Sequence, residues 1–386
     1  MAKGDTLVID NNVVLGGKVT KTGEGEVVFN GSVSGAVAAT DGYWLTVQEG
    51  RATFDGAVTG VRLITCGTMT LPVITLNEHC TVSDWAIVLT AWSEGGAVKN
   101  AMGETHQNGA TVDCSAGVFE ALLSNTSSKD LYPFSRPGGG TGRYVLNSGT
   151  FTTSASYKPS LFEMTSDIGT FEFVQNGGTL IAKKSIFFAR ELRSGVRLVY
   201  TLNGGRAEFY ENVSGTHRLY DFINFNGGTV VFKMGSGAKF ADHQFFTMSV
   251  GGDVTFENGN AANSVILSND YTGDGSITFN GGSYFFSGEL NVGGLNLAAG
   301  TVTLGANTAL AATGETALSL ARTGVTLNLD YDGQMPFKSL AVGGRERAAG
   351  VYSATQGRTS VQALLAGDGE LLILEGSDPG TIISIR

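Results

Sequence analysis

The sequence predicts an all-β protein, a parallel β-helix (a solenoid of stacked coils), from three observations. Glycine supplies 56 residues against 6 prolines and charged residues only 16%, with Val, Thr, Phe and Leu set between clusters of Gly, Asn, Ser and Asp. Such a composition belongs to many short strands joined by tight turns. The stretch INFNGGTVVF (223–232) alternates apolar residues on both sides of Asn226-Gly227-Gly228, a strand pattern around a turn signal. The same pattern then returns at a spacing of roughly 20–30 residues, the mark of stacked supersecondary units.

Taken in chain order, the elements follow one template: apolar, x, apolar, two turn residues, glycine, x, apolar, x, apolar. Residues 1–80 carry GEGEVVF around Gly25 and LTVQEGRATF (45–54) around Gly50, and are expected to form N-terminal coils. Residues 81–140 break the rhythm and are expected to be an irregular, loop-rich insertion. Residues 141–305 hold the regular coils: YVLNSGTF, FVQNGGTL, YTLNGGRAEF, INFNGGTVVF, TMSVGGDVTF, ITFNGGSYFF and LNLAAGTVTL. Their aligned glycines are Gly149, Gly178, Gly205, Gly228, Gly252, Gly282 and Gly300, at intervals of 29, 27, 23, 24, 30 and 18. Residues 306–375 turn alanine-rich but stay strand-like, with LLAGDGELLIL fitting around Gly369. Residues 376–386 read as linker and a terminal strand, TIISIR.

Three architectures share parts of this pattern. Leucine-rich repeats need an LxxLxLxxN consensus that is absent here. A meander of hairpins places turns every 8–12 residues or so, more often than the motif returns. A parallel β-helix explains both motif and period, because each turn recurs once per circuit. In that geometry the residues two and four after each glycine point inward. They are expected to stack as Ala207/Val230/Val254/Tyr284/Val302 and Phe209/Phe232/Phe256/Phe286/Leu304. Asn147, Asn176, Asn203, Asn226 and Asn280 are expected to form an amide ladder along one edge. Gln175 and Ser249 are polar where the template wants apolar residues.

KVTKTGEGEVVFNGSVSG (18–35) resembles the autotransporter-associated β-strand repeat of bacterial secreted proteins, through Lys21, Thr22, Gly23, Gly25, Gly31 and Gly35. The stretch SLAVGGRERAAGVYSA…LLAGDGELLIL (339–374) resembles the closing unit of such proteins. The resemblance implies a right-handed parallel β-helix, exported to the cell surface or beyond. The start MAKGDTLVID has no apolar h-region, so an exported chain would here be in its mature form. Autotransporters finish with a membrane barrel, and the chain after residue 305 is too short for one.

The net charge of −10 argues against nucleic acid and against an anionic membrane surface, both of which attract Lys and Arg. No apolar run reaches the roughly 20 residues of a membrane-spanning helix. Cys66, Cys80 and Cys114 form no CxxC pair; a Cys66–Cys80 bridge and buried free thiols are both open, the second preferred. His79, His106, His217 and His243 lack zinc-finger spacing, so no metal or cofactor is expected. The carboxylates Asp221, Asp242, Asp253 and Asp274 do not share a coil offset, and the expected function is therefore non-enzymatic. It is a structural or adhesive surface protein whose main partner is itself, assembled end to end into a fibre or layer. The alternatives are a β-helix that binds or cleaves carbohydrate, with Trp85, Trp92 and Tyr132 as candidate contacts to surface polysaccharide or host protein, and a phage-type fibre.

Overall fold

The structure is a computed structural model, and it describes residues 1–35, 43–83, 87–89, 101–113, 140–152, 168–183, 187–188, 195–210, 214–215, 221–235, 239–240 and 247–376. It is nearly all β, with helix at 3% and a long parallel sheet of many strands. The chain divides into two compact units, Met1–Ile223 and Asn224–Arg386.

The first unit opens with three short strands, β1 (Thr6–Ile9), β2 (Val13–Leu15) and β3 (Lys18–Lys21). Each starts a separate parallel ladder, pairing with Glu26–Phe29, Val33–Gly35 and Trp44–Val47 respectively. Because a strand's side chains alternate between faces, in-register parallel pairing stacks every second residue into one buried column. One column runs Leu7, Val27, Ala52, Ile74, Thr105, Tyr144, Phe173 and Tyr200. Its neighbour two residues on runs Ile9, Phe29, Phe54, Leu76, Gln107, Leu146, Gln175 and Leu202. The β2 ladder contributes Val13, Val33, Val58, Val82, Val112, Phe151, Leu180 and Ala207. Aromatic members of the first column meet face to face: the Tyr144 and Phe173 rings lie 5.2 Å apart with planes 1° from parallel.

The irregular insertion expected over residues 81–140 is smaller than its sequence implies. Thr81–Ser83 and Ile87–Leu89 pair in register, and Ala101–Asp113 joins two ladders, bonding onward to Gly140–Thr152. Its inward positions include Thr105 and Gln107, both fully buried, ahead of buried Ala110 and Val112, so polar residues interrupt the apolar alternation where the repeat template would be read. Trp85, Trp92, Tyr132 and Phe134 lie outside the described residues, as does the terminal stretch TIISIR.

The second unit repeats the principle with its own register. Val254, Ile277, Leu295, Leu318 and Leu340 form one column, and Phe256, Phe279, Leu297, Leu320 and Val342 the next. A third runs Phe240, Leu267, Phe286, Leu304 and Leu329. Here the sequence alignment needs a correction. Val230 faces Phe256, and Phe232 faces Asn258, so Phe256 belongs with Phe279 and not with Phe286. The expected column order fails at Gly252, because the strand after it takes the place of the strand before the turn in the following repeat. The inward direction holds throughout: Phe209, Phe232, Phe256 and Phe286 are all buried.

The parallel ladders of this unit end in an antiparallel closure. Ser339–Val342 turns back through Gly343 (φ 57°) and Gly344 (φ 74°) onto Arg345–Glu346, a two-residue hairpin loop that only residues tolerant of positive φ form easily. Gly350–Tyr352 then lies antiparallel to Glu370–Ile373, which is itself parallel to Gln334–Phe337. A helical turn, Thr359–Gln362, buries Val361 beneath it.

Cys66 and Cys80 are buried free thiols, and Cys114 lies outside the described residues. Burial, with the Asp55 carboxylate a lesser cause, pushes the Cys80 thiol up from 9.0 to about 12. A raised acid is stabilising in its protonated form. That contribution is fully present below the unfolded value near 9 and is lost as pH rises from there through about 12. Cys80 is therefore expected to resist a thiol reagent at mildly alkaline pH until denaturant is added. Fast labelling of the native protein at Cys80, located by peptide mass spectrometry, would show that the thiol is exposed.

Candidate functional site

The residues singled out in the sequence occupy turns and ladders. Gly50, Gly149, Gly178, Gly205, Gly228, Gly282 and Gly300 all have φ between 64° and 91°, the left-handed corner that glycine reaches without strain. Gly252 is the exception and lies outside that region. Its role is close approach, since a Cβ there would sit 2.8 Å from the Asn226 carbonyl carbon.

The amide ladder forms in part. Asn147 Nδ2 donates to Asn108 Oδ1, Asn176 Nδ2 to Asn147 Oδ1, and Asn203 Nδ2 to Asn176 Oδ1, each at 2.8 Å. Asn108 was not expected, because its own repeat lacks the template. After Asn226 the equivalent position is Gly251, whose N–H bonds the Phe225 carbonyl at 2.9 Å and which has no side chain to continue the row. Asn280 departs from the expectation, donating instead to Glu257 Oε1 at 3.3 Å.

Of the two polar residues that broke the template, Ser249 is half-buried and faces away from the core, between buried Met248 and Val250, whereas Gln175 has partners inside the core. Tyr200 Oη donates to Gln175 Oε1 at 2.8 Å, and Gln175 Nε2 donates to the carbonyls of Arg206 and Gly178 at 3.0 and 3.3 Å. Gln107 repeats the device, accepting from Tyr144 and donating to Ala110 and Thr150. A buried glutamine thus bonds the corner of its own repeat to the tyrosine of the next, which satisfies groups that are costly to bury alone.

The family-like Lys21 is also structural. Its ammonium donates to the carbonyls of Gly23, Gly25 and Glu49, the last two at 2.5 and 2.7 Å. Burial lowers its pKa, against the smaller raising pull of Glu49 and Glu26. Gly50 completes the arrangement, because a side chain there would collide with Lys21 Nζ and the Gly25 carbonyl.

One surface feature is shaped like a binding site. In the second unit an open groove of about 610 Å³ is lined by Gly273, Asp274, Asn291, Gly293, Glu315 and Lys338, among others. Gly273 faces Val292, Gly294 faces Ala317, and Ala317 faces Ser339 in register, so the groove crosses four successive strands. At the usual interstrand spacing that is a span of roughly 14 Å. Two lining positions are bare because a Cβ at Gly273 or Gly293 would run into the backbone of the preceding strand. Asn291 Oδ1 accepts from the Thr313 N–H and hydroxyl at 3.0 and 2.9 Å, pinning the loop that carries Glu315. Asp274, Glu315 and Lys338 are exposed along the rim, offering two carboxylate acceptors and one ammonium donor to an extended polar chain.

His106 pairs with Glu104 at 2.8 Å, and Arg143 lies between Glu104 and Glu172 at 3.8 and 3.6 Å. The first lies within one strand and the Arg143 pairs join adjacent repeats; partly exposed pairs of this kind contribute about 0–1 kcal/mol each. Among the described residues no group of three His, Cys, Asp or Glu could hold a metal ion. No helix among them is long and apolar enough to cross a membrane. No protein family, no curated protein and no solved structure matches this chain.

Proposed function

We propose that the chain is a right-handed parallel β-helix serving as a structural or adhesive module on a cell surface or in the extracellular medium, without catalytic activity. The observation that carries the reading is the run of in-register columns, eight residues deep from Leu7 to Tyr200. Three ladders per repeat, each pairing with its equivalent one repeat later, is what a coil of three sides produces. Right-handedness follows from the strong bias of parallel strand crossovers. The polar residues that interrupt the core, Gln107, Gln175 and Lys21, are all bonded to main chain and serve the stack itself. Export follows from the KTGEGEVVF resemblance. Antibody labelling of intact source cells tests it: surface staining is expected, and staining only after lysis overturns it.

The second reading, carbohydrate binding, is favoured by the groove along Asp274, Glu315 and Lys338. Calorimetric titration against a panel of acidic, neutral and amino oligosaccharides is expected to give saturable binding with at least one. Asp274→Asn with Glu315→Gln should then weaken it about tenfold, as lost charge-assisted hydrogen bonds would. No heat with any member of the panel removes this reading and leaves the structural one.

A further inference from the structure

We propose that the groove of the second unit takes an oligosaccharide of amino sugars with free, protonated amines. The proposal rests on the carbohydrate reading above and names the class of sugar.

Three observations carry it. The first is which charges are already engaged. Near the groove, Asp253 accepts a hydrogen bond from the Ser276 hydroxyl, Asp270 from the Glu289 N–H and Glu289 from the Asn291 amide. Of the groups that line it, Asp274, Glu315 and Lys338 have no side-chain hydrogen bond or ion pair among the described residues. Glu315 and Lys338 stand just ahead of adjacent strands, Ala317–Leu320 and Ser339–Val342, and still do not pair.

The second is their order. Ala317 faces Gly294, so Glu315 stands level with Val292, which faces Gly273 beside Asp274. The two carboxylates are therefore two strands apart, a separation of roughly 10 Å. Lys338 lies one strand beyond Glu315, and its backbone N–H donates to the Thr316 carbonyl at 2.9 Å. Along the groove the signs run negative, negative, positive. Neutral Asn291 stands between the carboxylates, its Oδ1 already committed to Thr313.

The third is the character of the lining. Among the described residues that line the groove none is aromatic. A neutral sugar ring binds largely through its apolar face against an aromatic or apolar surface, and this groove offers small groups and bare glycine instead. Charge then decides the ligand. A chain of uronic acids would set its carboxylates against Asp274 and Glu315. A protonated amine meets either of them in a charge-assisted hydrogen bond, while hydroxyls of the same chain accept from Lys338. Amines one disaccharide repeat apart in an extended chain span a distance similar to that between the two carboxylates, so one chain engages both. Each contact is exposed and weak by itself, and a dissociation constant on the order of 0.1–1 mM is expected.

The test is calorimetric titration of the full chain with four probes: a glucosamine tetramer with free amines, the same tetramer fully N-acetylated, a uronic acid tetramer, and spermine. The glucosamine tetramer is expected to bind about tenfold more tightly than the other three, and to weaken as salt rises. Asp274→Asn with Glu315→Gln should remove that preference. Lys338→Glu, which adds a third carboxylate to the row, should strengthen glucosamine binding several-fold, with circular dichroism checking that each variant keeps its β-sheet signal. An acetylated or uronic tetramer bound as tightly overturns the amine inference and leaves the carbohydrate reading standing. Spermine bound as tightly also overturns it, since the groove would then read charge without sugar. So does a folded Lys338→Glu variant that binds glucosamine no better. No heat with any of the four removes the carbohydrate reading itself, and this proposal with it.

Discussion

Replacing Phe256 by alanine is expected to destabilise the second unit by about 3–5 kcal/mol, the usual range for emptying a buried aromatic site. Phe256 is fully buried and is the meeting point of four rings, with centroids of Phe232, Phe225, Phe279 and Tyr271 at 5.3, 5.5, 5.7 and 6.3 Å. Among the described residues the Tyr271 hydroxyl has no hydrogen-bond partner, so that side of the cluster is held by packing. Repeat stacks often unfold in parts, so the loss is best read by amide hydrogen exchange alongside the denaturation midpoint. Protection should fall most at Val230 and Phe279, the register partners of Phe256, and less at Phe286. The opposite order would restore the column that the glycine alignment implied.

Gln175→Leu is expected to cost the first unit about 3 kcal/mol, despite putting a larger apolar surface into an apolar core. The substitution orphans the Tyr200 hydroxyl, whose accepting partner among the described residues is Gln175 Oε1, at a depth where water does not reach. It also removes the bonds from Nε2 to the corner carbonyls. Combining it with Tyr200→Phe should return about 1 kcal/mol or more, since two matched apolar residues leave no buried hydroxyl unpaired. A double variant no more stable than Gln175→Leu alone would show that the glutamine's bonds to main chain, and not the tyrosine, carry the effect.

These two residues mark where sequence reading succeeded and where it stopped. Phe256 was legible as an inward residue, because alternation around a glycine turn sets direction within a single repeat. Its neighbours were not, because ladder register is a relation between repeats, and the turn at Gly252 is not left-handed like the others. Gln175 was legible only as a fault in the template. Its meaning depends on a tyrosine 25 residues later in the chain and one layer away. The strand Ala101–Asp113 was missed for the same reason: Thr105 and Gln107 face inward without hydrophobicity to announce it. The groove was invisible because its residues come from four strands, and no single stretch of chain holds more than a short part of it.

By itself the sequence determined the kind of secondary structure, the recurrence of the turn and, for the strands that follow the template glycines, the side that faces inward. These are local properties, set by glycine's backbone freedom and the two-residue period of a strand. Only the tertiary structure decided which residue stacks on which, where polar groups find partners within the core, and that the strands Ser339–Val342 and Glu370–Ile373 acquire antiparallel partners. Those depend on the separation in space of segments some 20–40 residues apart, and nothing within either segment fixes it.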